Sequence, residues 1–356
     1  MEELSCFHSP SYLDFLQNIK TSSNAKIQDG IFQCKIKKTS LQNKIFQTRI
    51  NNIEMIKKYL FKFFKILNSF KLLDQLNARC PIQDGLWDYC LAYATGSLYG
   101  AKLLNEKVVD VMINWSGGMH HARKDRCIGA APINDIVLAI LSLQKTYKRV
   151  LYVDLDAEHG SGVEEAFYAS KSVLTCSFHT SLGFPGSGTI DDVGMHDAVG
   201  YAVNVPFTRS ISDMDFEYLY QKLLFNIYAS FQPTAIVVQM GGNSLSGDRS
   251  NLLNYSMITH GSCLTLLNDF NLPMLVLGGS GNTLRNTART WAYETALLVG
   301  ATIPSQVPAS DKYYEHYGPD YDSIYGKRSY DEDTMSREQV ETLLEQSLYT
   351  LSLMKK

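Results

Sequence analysis

The strongest constraint in this chain is a phrase that recurs from about residue 108 onward: a continuous apolar run, a close of glycine and polar residues, then a helical pattern. The runs are "VVDVMINWS" (108–116), "RVLYVDLDA", "VLTCSFH", "YAVNVPF", "AIVVQMGG" and "MLVLGGSG". Between them lie "INDIVLAILSLQKTY" (133–147), which reads as an amphipathic helix, and the helical patterns "DMDFEYLYQKLLFNIYASF" and "NTARTWAYETALLVG". A strand with one wet face alternates apolar and polar residues, whereas unbroken runs mean that both faces are covered. The β-α-β-α order predicts an α/β fold with a mostly parallel sheet between helix layers. In such sheets ligands sit beyond the carboxyl ends of the strands. Four ends, "NWSGGMHH", "DLDAEHGSG", "QMGGNSL" and "LGGSGNT", are rich in glycine and polar residues, and they are expected to converge on one crevice.

One of these ends carries the chemistry most openly. "VDLDAEHGSG" delivers two aspartates, a glutamate and a histidine into a glycine-flanked turn, which is how a strand end presents metal ligands. The 356 residues suffice for one large α/β domain or two smaller ones. No run is long and apolar enough to span a bilayer, and the N-terminus lacks a basic-then-apolar leader, so a membrane location is not expected. Seven scattered cysteines, an odd number, read as reduced thiols of a cytosolic or nuclear protein. A formal charge of −3 gives no reason to expect direct nucleic-acid binding.

The N-terminal quarter differs in composition. Residues 35–71 hold ten Lys or Arg and a single acid, Glu54. Within them "NNIEMIKKYLFKFFKILNSF" places Ile53, Ile56, Leu60, Phe63, Phe64 and Leu67 on one helical stripe. A basic amphipathic helix over 51–70 could bind a membrane surface or an acidic partner, or pack its apolar face on its own domain with solvated lysines. "GIFQCKIKK" could form a strand.

From Asp84 to the C-terminus the blocks "QDGLWDYC", "INWSGGMHHARK", "KRVLYVDLDAEHGSGVEEAFY", "FPGSGTIDDVG", "QPTAIVVQMGGNSLSGDR", "NLPMLVLGGSGNTLRNTARTWAYET" and "YYEHYGPDY" follow one another in order. They closely resemble the class I histone deacetylases, zinc-dependent lysine deacetylases of the three-layer arginase/deacetylase-like fold. "CFHSPSYLDFLQNIK" (6–20) resembles a stretch from inside that domain. The family's first strand and helix have no counterpart, so the N-terminal part of the domain is expected to be missing; by the resemblance that strand lies inside the sheet, where residues 21–78 could take its place or else be sequence that does not fold with the rest. The organisation expected is a deacetylase-like start at 1–23, a family-unlike basic insertion at 24–78 and a deacetylase-like domain at 79–356.

The resemblance implies a zinc ion that polarises an acyl-lysine carbonyl and activates a water, two histidines that handle protons, and a tyrosine that stabilises the oxyanion. By that resemblance the histidine pair is His120 and His121, with Asp154 orienting the first; the orienter of the second falls at Ser161. The metal positions are Asp156, then Glu158 where the family has histidine, then Asn243 where it has aspartate. The oxyanion tyrosine falls at Asn282. The substrate tunnel positions are Gly129, Ala130 in place of one phenylalanine, and Phe184; the residue that grips the substrate backbone falls at Arg79. A structural potassium ion would involve Asp154, Asp156 and Ser177, and Arg249 and Arg285 match two residues of an inositol phosphate site.

Asp156, Glu158 and Asn243 offer only oxygen ligands, one of them neutral, which suits harder ions better than zinc. Loss of one preorganised oxyanion donor costs about a hundred- to a thousandfold in turnover. Three readings follow. The first is a degenerate deacetylase, keeping the fold but little or no hydrolysis, and serving as a chromatin scaffold or decoy. The second is an active metal-dependent deacetylase using Asp156, Glu158 and Asn243. The third is a non-catalytic partner- or membrane-binding protein acting through 51–70. Acetyl-lysine tails of histones or other proteins, corepressor subunits and a nuclear, possibly also cytoplasmic, location are implied by the resemblance alone.

Overall fold

A computed structural model describes residues 2–18, 80, 84–326 and 334–354. Arg79, "GIFQCKIKK" and the basic segment 51–70 lie outside the described residues. The chain divides into two compact units, Met1–Ala92 with Ala122–Ile133, and Tyr93–His121 with Asn134–Lys356.

In the smaller unit, α1 (Glu2–Ser5) and α2 (Pro10–Asn18) present Leu4, Tyr12, Leu13 and Leu16 to the interior. The Tyr12 hydroxyl donates to the Pro132 carbonyl at 2.9 Å, and Ser9 N donates to Lys124 O at 2.9 Å, so the loop 122–133 is tied to the helical start of the chain. A long helix, α3 (Leu86–Asn105), begins in this unit.

The larger unit carries six strands: β1 (Val111–Asn114), β2 (Val150–Asp154), β3 (Val173–Thr180), β4 (Ala202–Phe207), β5 (Ala235–Gln239) and β6 (Met274–Leu277). All pair in parallel, in the order β1-β6-β5-β2-β3-β4. Every strand is bonded to its neighbour, so among the described residues the sheet has no unfilled slot. The four inner strands are buried throughout, β2, β5 and β6 as apolar runs and β3 with Thr175, Ser177 and His179 buried among its apolar residues. The first run departs from expectation: only four residues of 108–116 form a strand, and they are half-buried because β1 lies at the edge.

Helices α4 (Asp135–Leu143), α5 (Ser161–Phe167), α6 (Asp213–Phe231), α7 (Met257–Asp269), α8 (Leu284–Val299) and α9 (Arg337–Ser352) complete the unit. Their starts follow local side-chain chemistry. Asn134 Oδ1 accepts from Val137 N, Ser212 Oγ from Asp215 N and Ser256 Oγ from Thr259 N, while Ser336 and Gln339 form a reciprocal capping box. The helix expected to be amphipathic at 133–147 is instead α4, with Asp135 to Ile140 and Leu143 all buried. Its apolar residues surround the whole helix, which leaves no face for water. The core runs from β2, β3, β4 and β5 to α6, where Phe178, Phe216 and Tyr220 pack ring against ring.

Candidate active site

The carboxyl ends of β1, β2, β5 and β6 meet in the larger unit, as their sequences predicted. The loop after β1 is held by Asp135 at the start of α4. Its carboxylate accepts from Ser97 Oγ at 2.5 Å, from Gly118 N at 3.0 Å and from Met119 N at 2.9 Å. Burial pushes the Asp135 carboxyl pKa up, against the hydrogen bonds that favour its charge. Gly118 has φ +101, and a Cβ there would lie 2.7 Å from Gly279 N, so the loops after β1 and β6 touch through glycine backbone. This contact turns His120 and His121 toward the end of β2.

There they join a chain of polar contacts. His120 Nδ1 lies 2.7 Å from Asp154 Oδ2, which also accepts from the Tyr152 hydroxyl at 2.6 Å; Asp154 Oδ1 accepts from Asp156 N at 3.0 Å. Burial opposes protonation of His120, but the charges of Asp154 and Asp156 outweigh it and hold its pKa up at about 9. His120 Nε2 is 3.1 Å from His121 Nε2, and the same His121 nitrogen is 3.1 Å from Glu158 Oε2. One imidazole nitrogen donates or accepts but cannot do both, so these two contacts compete. Burial and the neighbouring His120 charge push His121 down to about 4. His121 Nδ1 is buried and has no hydrogen-bond partner among the described residues, so the Ser161 position supplies no orienting charge. The Phe184 ring meets His121 edge-on with centroids 5.0 Å apart.

The three expected metal positions cluster, yet each is engaged by the protein. Asp156 is fully buried; its Oδ1 accepts from Glu158 N at 3.0 Å, and its Oδ2 accepts from Gln239 Nε2 at 2.9 Å and Ser280 Oγ at 2.7 Å. Burial opposes its charge, but His120 and these donors together hold its pKa below the ordinary carboxylate value. Asn243 Oδ1 accepts from Ala157 N at 2.9 Å, and Glu158 faces His121. Among the described residues no three His, Cys, Asp or Glu side chains form a group that could hold a metal ion. A zinc ion needs lone pairs directed at one centre. Here one donor is a neutral amide turned to backbone, and the buried carboxylate is already supplied with donors. In this arrangement the residues present do not fit zinc.

The oxyanion position is also committed elsewhere. Asn282 Nδ2 donates to Asp248 Oδ1 at 3.1 Å, while Asn282 N and Thr283 N donate to Asp248 Oδ2 at 2.7 and 2.8 Å. Of the other positions, Ser177 Oγ pairs with His179 Nδ1 at 2.9 Å. Gly129 is buried with φ +61, and Ala130 is exposed, both within the smaller unit. Arg249 is exposed, and Arg285 Nη1 donates to Gly318 O at 3.1 Å, so Arg285 ties down a loop. Sequence reasoning missed Gln239, Asp248 and Ser280. Two left a trace: a glutamine closing the apolar run "AIVVQ", and a lone hydroxyl among the glycines of "GGSG".

The family model of the histone deacetylase domain matches residues 1–298. The chain is 39% identical over 321 residues to histone deacetylase RPD3 of Saccharomyces cerevisiae, covering 90% of this chain and 65% of that protein. Against histone deacetylase 19 of Arabidopsis thaliana it is 44% identical over 275 residues, covering 77% and 54%. Against histone deacetylase 1 of Homo sapiens it is 42% identical over 285 residues, covering 77% and 59%. The chain therefore spans between half and two thirds of the length of these relatives.

Proposed function

The chain belongs to the histone deacetylase family, and from that premise we propose that it is a member in which hydrolysis of acyl-lysine amides is weak or lost. The observation that carries this reading is the state of Asp156. Its Oδ2 is filled by Ser280 and Gln239, while the adjoining ligand positions are Glu158 and Asn243. With Asn282 bound to Asp248, its side-chain amide is not poised for a developing oxyanion. What remains is the Asp154–His120 pair, which holds a proton at His120 but has no activated water to serve.

Such a protein would act through binding, as a scaffold or decoy. Its partners would be acetylated protein tails, histones among them, and corepressor subunits. Nuclear placement belongs to the same proposal, as does a potassium ion beside Asp154, Asp156 and Ser177. An inositol phosphate site at Arg249 and Arg285 belongs to it as well, with Arg285 Nη1 also donating to Gly318 O.

A second reading, an active metal-dependent deacetylase using Asp156, Glu158 and Asn243, is favoured by one observation. Asp154, His120 and His121 still stand in contact, although His121 lacks an orienting charge, and the two imidazoles have pKa values pushed apart, to about 9 and about 4. The deciding experiment is turnover of an acetylated histone peptide by the purified chain, with and without added zinc. Background turnover under both conditions is expected. Chelator-sensitive hydrolysis at the rate of an active family member would replace the first reading with the second.

A further inference from the structure

Asp156 is a fully buried carboxyl group, and its surroundings are closed. Such a group costs several kcal/mol unless donors or a cation compensate it. The compensation comes from three elements: the turn after β2 through Glu158 N, the end of β5 through Gln239 Nε2, and the loop after β6 through Ser280 Oγ. Ser280 N adds a longer contact to the same Oδ2 at 3.4 Å. The remaining approach is occupied by backbone, for a Cβ at Gly241 would lie 2.3 Å from Oδ2. His120 Nε2 stands 4.0 Å away. A carboxylate oxygen offers about two lone pairs, and Ser280 Oγ and Gln239 Nε2 already use both.

The Ser280 hydroxyl is held to this task. It lies between Gly279 at φ +125 and Gly281 at φ +157, and its own carbonyl accepts from Gly242 N at 2.7 Å. The loop from β6 is therefore pinned to the loop from β5, with the hydroxyl aimed at Asp156. Resting on the reading that this crevice does not hold zinc, we propose that Ser280 is a built-in substitute for the ion. It donates to Asp156 Oδ2 where an ion would otherwise supply the compensation, which makes the folded crevice metal-independent and closes that oxygen to zinc. Ser280 is a positioning residue in this account. An ion could reach Oδ2 only by displacing this hydroxyl or the Gln239 amide.

The test uses the full chain and zinc chloride alone, read by thermal melting and titration calorimetry instead of turnover. The parent protein is expected to melt at the same temperature with zinc or with a chelator. Ser280→Ala should lower the melting temperature by roughly 2–4 °C, for the loss of one hydrogen bond to a charged group. Zinc should restore it, with affinity about ten- to a hundredfold above that of the parent. Ser280→Thr, which keeps the hydroxyl, should behave as the parent. A parent that binds zinc as tightly as Ser280→Ala would overturn the proposal, as would a Ser280→Ala protein indifferent to zinc. If Ser280→Ala is recovered only as unfolded chain, refolding in zinc decides: recovery supports the substitution of hydroxyl for ion, and no recovery sinks it. The outcomes separate from the functional reading, because a zinc-binding protein without turnover would end this proposal and leave the loss of catalysis standing.

Discussion

Asn282 and Asp248 are joined twice, side chain to side chain at 3.1 Å and backbone N–H to carboxylate at 2.7 Å. The same carboxylate accepts from Thr283 N at 2.8 Å, Ser250 N at 2.9 Å and Ser250 Oγ at 2.7 Å. Asp248 thus gathers the loop after β6 and the turn after β5 around one charge. The residue at the oxyanion position is held by this clamp and is not directed at the histidines.

Replacing Asp248 by alanine would orphan several donors at once, three of them backbone N–H groups. Hydrogen bonds to a charged acceptor contribute about 1.5–3 kcal/mol each, with strong non-additivity, so Asp248→Ala is expected to destabilise the chain by about 3 kcal/mol or more. Chemical denaturation of parent and variant measures this directly. A shift below about 1 kcal/mol would mean that water or neighbouring groups replace the clamp.

Asn282→Tyr removes the side-chain bond to Asp248 but leaves both backbone donors in place. Turnover of an acetyl-lysine peptide is expected to stay at background, since Asp156 remains filled by Ser280 and Gln239. A rise of about a hundredfold, the scale of one oxyanion donor, would show that residue 282 alone limits turnover.

The architecture was readable because burial on both faces leaves a plain mark: β2, β5 and β6 coincide with apolar runs, whereas β3 buries Thr175, Ser177 and His179 between its apolar residues. The convergence of four glycine-rich ends was readable for a related reason, since parallel strands deliver their carboxyl ends to one side. The edge position of β1 was not, because an edge strand and an inner strand can carry the same apolar residues. The partners of the site were the least visible. Ser280 and Asp156 are 124 residues apart, and Asn282 and Asp248 are 34 apart, so their pairing depends on register across the sheet. Glu158, Asn243 and Asn282 were legible only as departures from the residues that the family resemblance leads one to expect at those positions. What those residues bind instead required coordinates.

Away from the crevice, His260 on α7 and Glu294 on α8 form a fully buried pair through His260 Nδ1 and Glu294 Oε1. Burial raises the Glu294 carboxyl pKa, and the nearby His260 opposes that shift. His260 Nε2 and Glu294 Oε2 have no hydrogen-bond partner among the described residues, so the pair is only half compensated. Removing one member leaves the other buried and unpaired, and Glu294→Leu or His260→Leu alone should each cost about 3–5 kcal/mol. The double variant is expected to be more stable than either single one, as measured in a double-mutant cycle. Additive losses would show that the two side chains contribute independently.

The smaller unit offers a test by pH. His8 is buried, and desolvation lowers its pKa from 6.5 to about 4, against hydrogen bonds to the backbone of Arg123 and Lys124 that favour the charged form. The folded pKa lies below the unfolded one, so between these values the unfolded chain binds more protons. Stability linked to His8 is therefore full above pH 6.5 and falls as the pH drops toward 4. Integrated over the whole shift it amounts to about 3 kcal/mol, to within a factor of two. Other groups titrate across this window, so the informative quantity is the difference in unfolding free energy between the parent and His8→Phe, followed from pH 7.5 to 4. That difference should shrink or reverse on acidification, because the phenylalanine variant carries no proton to release on folding. A difference constant with pH would place the His8 ring in contact with water and remove the burial argument for it.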